Sequence, residues 1–344
     1  MQKKIIISLI ILVVALMFCG ASSAATIKNN HINTFKINNV GISNDQSNPA
    51  IDGTRVVWVQ QESGKSVVYC KNLATGGIGK VQSSTQNQSN PAISGTRVVW
   101  QQLDPSTGKY NIYVKNLATG GSGKVLSSTQ SQIEPAISGT RIVWQQKEAT
   151  GHYIIYIKNL ATGGSGKLSA STQNQFRPDI SGTKIVWEQT GTLQTFLQNI
   201  LCKDLATGES MQLSPASTQR QWTPVIDGTR VVWSQEESAG TNVIHVKNLK
   251  TGGEGKVLTS TQIQLRPAIS GTRIVWEQIV TIGNNFNIYV KNLATSGNGK
   301  VSASTKQQYD PDISGKIIVW QQITSTGAFI YIKNLATGIG GKLT

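Results

Sequence analysis

Apolar residues in this chain come in short runs bounded by turn residues, and the runs recur. Arg97-Val-Val-Trp-Gln-Gln102 is apolar over three consecutive positions and then polar, and six further stretches repeat it as Val-Val-Trp or Ile-Val-Trp. A run without alternation belongs to a strand covered on both faces, because a half-exposed strand alternates with a period of two. Ahead of each run stands Pro-Ala-Ile-Ser-Gly-Thr or a variant. Behind it come a variable polar segment, a second run such as Asn111-Ile-Tyr-Val-Lys-Asn-Leu117, a turn such as Ala118-Thr-Gly-Gly-Ser-Gly123, and Lys124-Val-Leu-Ser-Ser128. Short β-branched and aromatic runs between Gly, Asn and Ser clusters predict four strands per unit. No stretch beyond residue 24 keeps a helical period over three turns.

The spacing of the units is regular. Prolines fall at Pro49, Pro91, Pro135, Pro178, Pro224, Pro267 and Pro311, and nine residues after each stands a tryptophan: Trp58, Trp100, Trp144, Trp187, Trp233, Trp276 and Trp320. The period is 42 to 46 residues, and the variation sits between each tryptophan and the following Lys-Asn or Lys203-Asp204, a segment of 13 to 16 residues. Self-similarity at such a period signals a repeat architecture. Proline at the head of the first strand is tolerated because a strand start need not donate to the ladder. Four short strands covered on both faces by neighbouring units describe a propeller blade. The expectation is an all-β fold: a seven-bladed β-propeller over residues 44–344, four antiparallel strands per blade, with repeats starting near 46, 88, 132, 175, 221, 264 and 308. An open solenoid is disfavoured because the terminal copies carry no polar caps, which a closed ring does not need.

Units of the form Pro-Ala-Ile-Ser-Gly-Thr-Arg-Ile-Val-Trp followed by Ile-Tyr-Val-Lys-Asn-Leu-Ala-Thr-Gly resemble the TolB-like propeller repeats of exported bacterial proteins and archaeal cell-surface proteins. The resemblance covers about residues 46–344 and implies blades whose strands run outward from the channel in chain order. The chain departs from it in having Ser-Gly-Thr or Asp-Gly-Thr where Ser-Pro-Asp-Gly is usual. A propeller fold specifies function weakly.

Residues 1–24 read as an export signal: Lys3 and Lys4, an apolar run from Ile5 to Phe18, then Ser22-Ser23-Ala24. The run is short for a membrane span, so the mature chain is expected outside the cytoplasmic membrane, secreted or at the cell surface, without a spanning segment. An uncleaved anchor is the alternative, and bulky Phe18 argues against a lipid on Cys19. Residues 25–43 read as a tether or one stray strand at Phe35-Lys36-Ile37.

The formal net charge is +15, and +13 once Lys3 and Lys4 leave. Most basic residues occupy two repeat positions: Arg55, Arg97, Arg141, Lys184, Arg230, Arg273 and Lys316, and Lys71, Lys115, Lys158, Lys203, Lys247, Lys291 and Lys333. Spread around the molecule, they suit loose attraction to acidic polymers. A nucleic-acid binder would gather them on one face and interleave aromatics, so no nucleic-acid partner is predicted. Cys70 and Cys202 fill a strand position that is Val114, Ile157, Val246, Val290 or Ile332 elsewhere, which marks them as small apolar residues that stay reduced.

Little in the chain suits catalysis. His31, His152 and His245 are the only histidines, none pairs with carboxylates or thiols at ligand spacing, and no metal or cofactor site is predicted. Two glutamines recur in every unit, three before the proline (Gln46 to Gln308) and two after the tryptophan (Gln60 to Gln322). They form either a polar ring for ligands or amides that satisfy backbone groups between blades. Four carboxylates break the pattern: Asp179 and Asp312 replace alanine in the first strand, and Glu188 and Glu277 follow Trp187 and Trp276. They serve a glycosidase-like site or are solvated residues paired with Arg177 or Arg266. The residue two before each proline reads Ser47, Ser89, Ile133, Phe176, Trp222, Leu265 and Tyr309, so blades four to seven bring three aromatics and a leucine to one channel mouth, followed by Arg177 and Arg266. These ten residues are the candidate ligand site, unless the side chains plug the channel or pack between blades. The expected function is a monomeric, non-catalytic binding or scaffold module for a cell-envelope polysaccharide or surface protein. The alternatives are a carbohydrate-active hydrolase or lyase and a structural envelope component.

Overall fold

The computed structural model describes residues 44–190, 198–214, 219–237, 241–280, 285–295 and 297–344. The predicted export signal and the 25–43 segment, with Cys19 and His31, lie outside the described residues. The first blade shows the plan: β1 (Gln46–Asp52), β2 (Arg55–Glu62), β3 (Lys65–Asn72) and β4 (Ile78–Lys80). Seven such four-stranded sheets, each made of consecutive antiparallel strands, account for the 28 strands. Inner strands touch in cyclic order, and β1 meets the inner strand of blade 7, Gln308–Ser314, to close the ring. The fold is an all-β seven-bladed propeller. Among the described residues no helix is long and apolar enough to cross a membrane.

Local chemistry sets each element. Between β1 and β2 lies a two-residue connection whose first residue is glycine at positive φ, 57° at Gly53, a backbone conformation that costs glycine nothing and matches the twist of a tight hairpin. The second strands are buried over at least three consecutive residues, four in blade 1 from Val56 to Val59, as the unalternating run requires. Outer strands are three residues long and exposed, and six of the seven end in lysine, which protects an open sheet edge from further pairing. The variable segments all become the connection between second and third strands.

The hydrophobic core is divided among the seven blade interfaces. Trp100, Val98 and Ile93 of blade 2 pack on Val57, Val68 and Val81 of blade 1, and Trp58, Val56 and Ile51 pack on Val319, Ile330 and Leu343 across the closing seam. Every repeat tryptophan is at most 2 % exposed. Burying one indole side chain is worth about 5 kcal/mol by area, so the tryptophan is the main wedge of each interface. Six of them also stack on the facing third-strand residue, Tyr69 at 5.8 Å in blade 1 and His245 at 5.7 Å in blade 5.

Among the described residues no strand is exchanged between first and last blades, and side-chain hydrogen bonds join the two across the seam. Ile330 N donates to Gln46 Oε1 at 2.9 Å, Gln46 Nε2 to Thr344 Oγ1 at 2.8 Å, Ile51 N to Asp312 Oδ2 at 2.7 Å and Gly53 N to Ser314 Oγ at 2.9 Å.

Candidate functional site

Each inner strand enters the ring through a glutamine, and the amides do what the structural alternative requires. Gln88 Oε1 accepts the Val68 N–H of the preceding blade at 2.8 Å, and its Nε2 donates to Gln102 Oε1 at 3.2 Å. The same pair of bonds recurs at all seven interfaces. In five blades the second glutamine also accepts the tryptophan Nε1–H, at 3.2 Å from Trp100. These bonds satisfy buried polar groups, the Trp187 and Trp320 Nε1–H groups being left without a partner, and the first glutamine ring is not available to a ligand.

Just inside this ring every inner strand bulges. The residue before each proline has φ between 46° and 53°, which is ordinary for Asn48, Asn90 and Asp310 but strained for Glu134, Arg177, Thr223 and Arg266. In four blades a bond from the preceding blade holds it there. Gln101 Oε1 accepts Glu134 N at 3.0 Å, Gln145 Oε1 accepts Arg177 N at 3.0 Å, Glu188 Oε1 accepts Thr223 N at 2.6 Å and Glu277 Oε1 accepts Asp310 N at 2.7 Å. The two glutamates therefore do the work of glutamine in other blades. Each also takes a guanidinium from its own blade: Arg177 Nη1 lies 2.8 Å from Glu188 Oε2, and Arg266 Nη1 lies 3.0 Å from Glu277 Oε1. Both glutamates are fully buried, which corrects the expectation of solvated carboxylates: they sit between blades to hold the neighbouring bulge. Burial raises Glu188 and pushes Glu277 up to about 7, with the guanidinium groups pulling the other way. Asp310, 3.5 Å from Arg266, and Glu134, close enough to act on Arg177, complete a charged cluster on blades 3, 4, 6 and 7. Neither acid stood out in the sequence, because only the bulge and the ring bring them beside the arginines.

Deeper in the channel, Asp179 Oδ2 accepts Ile226 N at 2.8 Å and Asp312 Oδ2 accepts Ile51 N at 2.7 Å, each reaching the inner-strand edge of the next blade. Burial pushes Asp179 up to about 6 and Asp312 up to about 7. Neither pairs with an arginine. The aromatic arc is half-buried, and two of its members do pack between blades: Phe176 lies 5.7 Å from Tyr153 and Tyr309 5.6 Å from Phe286, ring to ring. Trp222 and Leu265 are half-buried at the same level.

His245, Cys70 and Cys202 are structural. His245 is 8 % exposed, stacked on Trp233, and its Nε2 lies 2.9 Å from Glu237 Oε1, the place a tyrosine hydroxyl takes beside Glu148 in blade 3. Cys70 and Cys202 are free thiols, and burial pushes each up to about 11. Among the described residues no three His, Cys, Asp or Glu side chains gather as a metal-holding group.

One expectation about charge is corrected. Arg55 pairs with Asn72 and Lys71 with Val56 in the ladder, so the arginine set opens the second strand and the lysine set closes the third at the same end of every blade. The two sets share one face, the face of the glycine turns. Part of the lysine set ties blades together, as when Lys71 Nζ donates to Leu343 O at 2.6 Å and Lys333 Nζ to Val301 O at 2.7 Å.

No protein-family model and no curated protein sequence matches the chain. Solved structures do, as propellers. The β-propeller domain of the Trilobed protease from Pyrococcus furiosus superposes with a TM-score of 0.70 at 14% identity, covering 88% of this chain and 95% of that one. A prolyl endopeptidase gives 0.69 at 13% identity, over 88% of this chain and 50% of that one, and an oligogalacturonate lyase in complex with manganese gives 0.63 at 12% identity, over 83% and 86%. The chain thus spans about half the length of the prolyl endopeptidase. The Trilobed protease propeller has an open velcro topology. These matches establish the fold. They also overturn the expectation of a non-catalytic binding or scaffold module for the cell envelope, because similar solved structures include those of peptidases, a puromycin hydrolase and a lyase.

Proposed function

We propose that the propeller serves peptide hydrolysis as the domain that admits and holds the substrate, the reacting groups coming from a hydrolase domain or chain set against its glutamine face. The broken symmetry of the channel mouth carries this reading. Blades 1 to 3 bring Ser47, Ser89 and Ile133 to a position where blades 4 to 7 bring Phe176, Trp222, Leu265 and Tyr309, with Arg177 and Arg266 adjoining. Half-buried apolar side chains backed by guanidinium groups suit a peptide segment, whose side chains settle on the aromatics while a carbonyl or terminal carboxylate meets a guanidinium. In the matched prolyl endopeptidases, inter-domain dynamics has a role in catalysis and specificity, and the share given to this chain is specificity. Asp179 and Asp312, deeper in the channel, face the amino end of such a segment.

The test is fluorescence anisotropy with short labelled peptides ending in an apolar residue and a free carboxylate. The chain is expected to bind them, Trp222→Ala and Leu265→Ala together to weaken binding about tenfold or more, and amidation of the peptide terminus to weaken it further. Equal affinity in the double variant, or no binding by the parent chain, overturns the reading. On the same reading the repeats are of the TolB-like kind, and the mature chain works outside the cytoplasmic membrane after loss of residues 1–24. Sequencing the amino terminus of the cell-derived protein tests the latter, and an intact Met1 would count against it.

A further inference from the structure

The charge of the propeller is divided between its two faces. At the glycine-turn end of the blades stand fifteen lysines and arginines, the two repeat sets and Lys250, against five acids: Asp52, Asp204, Glu209, Asp227 and Glu254. The other described residues carry thirteen basic against twelve acidic side chains. One face therefore holds a net charge of +10 and the remainder +1. The arginine set rings the end of the channel at the head of the second strands, and the lysine set lies one strand further out. Equivalent ends are held level by ties from blade to blade, such as Gly95 N to Asp52 Oδ2 at 2.6 Å and Gly139 N to Ser94 Oγ at 3.0 Å.

Not all of this charge is used internally. Lys184 pairs with Asp204 and Lys247 with Glu254, but the guanidinium groups of Arg97, Arg141 and Arg273 have neither a hydrogen-bond nor an ion-pair partner among the described residues. Each is only half-buried. The same face holds two of the three large apolar side chains that stand out in solvent among the described residues. Ile78 (53 % exposed) opens the outer strand of blade 1, and Ile339 (74 %) closes the connection to the outer strand of blade 7; the two blades adjoin across the seam. No aromatic residue occurs in the turns of this face.

We propose that the glycine-turn face docks on a membrane surface of anionic lipid headgroups. The geometry separates this partner from a nucleic acid. Two concentric rings of cations spread over seven blades meet a planar array of phosphates all at once, whereas a linear polyanion lying across the ring reaches only some of them. Single strands are held by stacking bases on aromatics, and this face offers none. Unpaired arginines take phosphate oxygens in bidentate fashion, and each basic residue near an anionic leaflet adds roughly fivefold to affinity. Ile78 and Ile339 then enter the headgroup boundary, as apolar side chains of surface-bound proteins do. Docking in this way leaves the glutamine face, with its channel mouth, turned away from the lipid and open to other partners.

The experiment is flotation of the full chain with phosphatidylcholine vesicles containing or lacking phosphatidylglycerol, across a range of salt. Binding is expected to require phosphatidylglycerol and to fall as salt rises. The variant Arg97→Gln/Arg141→Gln/Arg273→Gln should lose on the order of a hundredfold in affinity for these vesicles. Lys65→Gln/Lys109→Gln/Lys147→Gln, with the same loss of net charge from the opposite face, should lose much less. Ile78→Ser/Ile339→Ser should weaken binding severalfold, with the loss persisting at high salt. Equal losses in the two triple variants would reduce the effect to net charge and overturn the proposal. So would indifference to phosphatidylglycerol, or double-stranded DNA bound more tightly than the vesicles with the same dependence on Arg97, Arg141 and Arg273.

Discussion

The two ends of the blades are built from one repeat and yet behave differently. At the glycine-turn end all seven blades use one device: the last residue of the inner strand, Asp or Ser, accepts the glycine N–H of the next blade, from Gly95 N on Asp52 round to Gly53 N on Ser314. Each such tie needs only a short acceptor, and the seven ties vary no further than Asp and Ser. At the glutamine end the ring of amides is equally uniform, but the next residues inward range from serine to tryptophan and from asparagine to arginine. Positions that link neighbours are held to one solution by the neighbour's backbone. Positions that face the mouth are released from it, and only there has each blade become distinct.

That contrast can be broken most severely at the glutamine end. Arg266→Leu strands Glu277, which is fully buried, and should cost about 4 kcal/mol in urea unfolding near neutral pH. With the guanidinium gone, a protonated Glu277 is favoured further, so the loss should grow as pH rises and shrink in acid. Adding Glu277→Gln, the residue blades 2 and 3 carry at this position, should restore most of the stability, since Gln101 and Gln145 hold the next bulge as amides. Failure of that rescue would mean the charge itself is required.

Next in size is the uniform glutamine ring. Gln264→Leu leaves the Ile244 N–H without a partner inside the interface and leaves Gln278 Oε1 with only the Trp276 Nε1–H, and about 2 kcal/mol of stability should go. A loss below about 1 kcal/mol would show that water replaces the amide.

A smaller effect is expected from the channel acids and is seen as a slope. Asp179 and Asp312 are raised from 3.8 to about 6 and about 7, so the folded state holds their protons more tightly than the unfolded one. Their contribution is therefore fully present below pH 4 and declines as pH climbs towards 7. Asp179→Ala with Asp312→Ala, the residue of most other blades, should flatten the fall in melting temperature over that window. An unchanged slope would assign it to other groups. Smallest of all, Ser138→Ala removes one solvent-exposed tie to Gly182 N and should cost no more than about 1 kcal/mol. A cost near that of Gln264→Leu would erase the distinction between the two ends.

The fold was legible because the information is local and repeated. Runs such as Arg97-Val-Val-Trp give a strand buried on both faces wherever they occur, and seven copies leave no room for a second architecture. The sequence also pointed to Glu188 and Glu277 as partners of Arg177 and Arg266, since a carboxylate and a guanidinium appear together in the same unit. It was silent on the bulge, whose left-handed residue is arginine or threonine as readily as asparagine, and on the hydrogen bonds that hold it. Those bonds join residues 32 to 35 apart, from blades that only the closed ring sets side by side. It misled on charge as well, because two basic positions 16 to 19 residues apart look dispersed along the chain and become neighbours when the second and third strands pair antiparallel. What the sequence determined by itself is the blade, through strand period, turn glycine and the tryptophan wedge. Tertiary structure alone decided which side chains share a face, because that follows from how strands pair and how seven blades close into a ring.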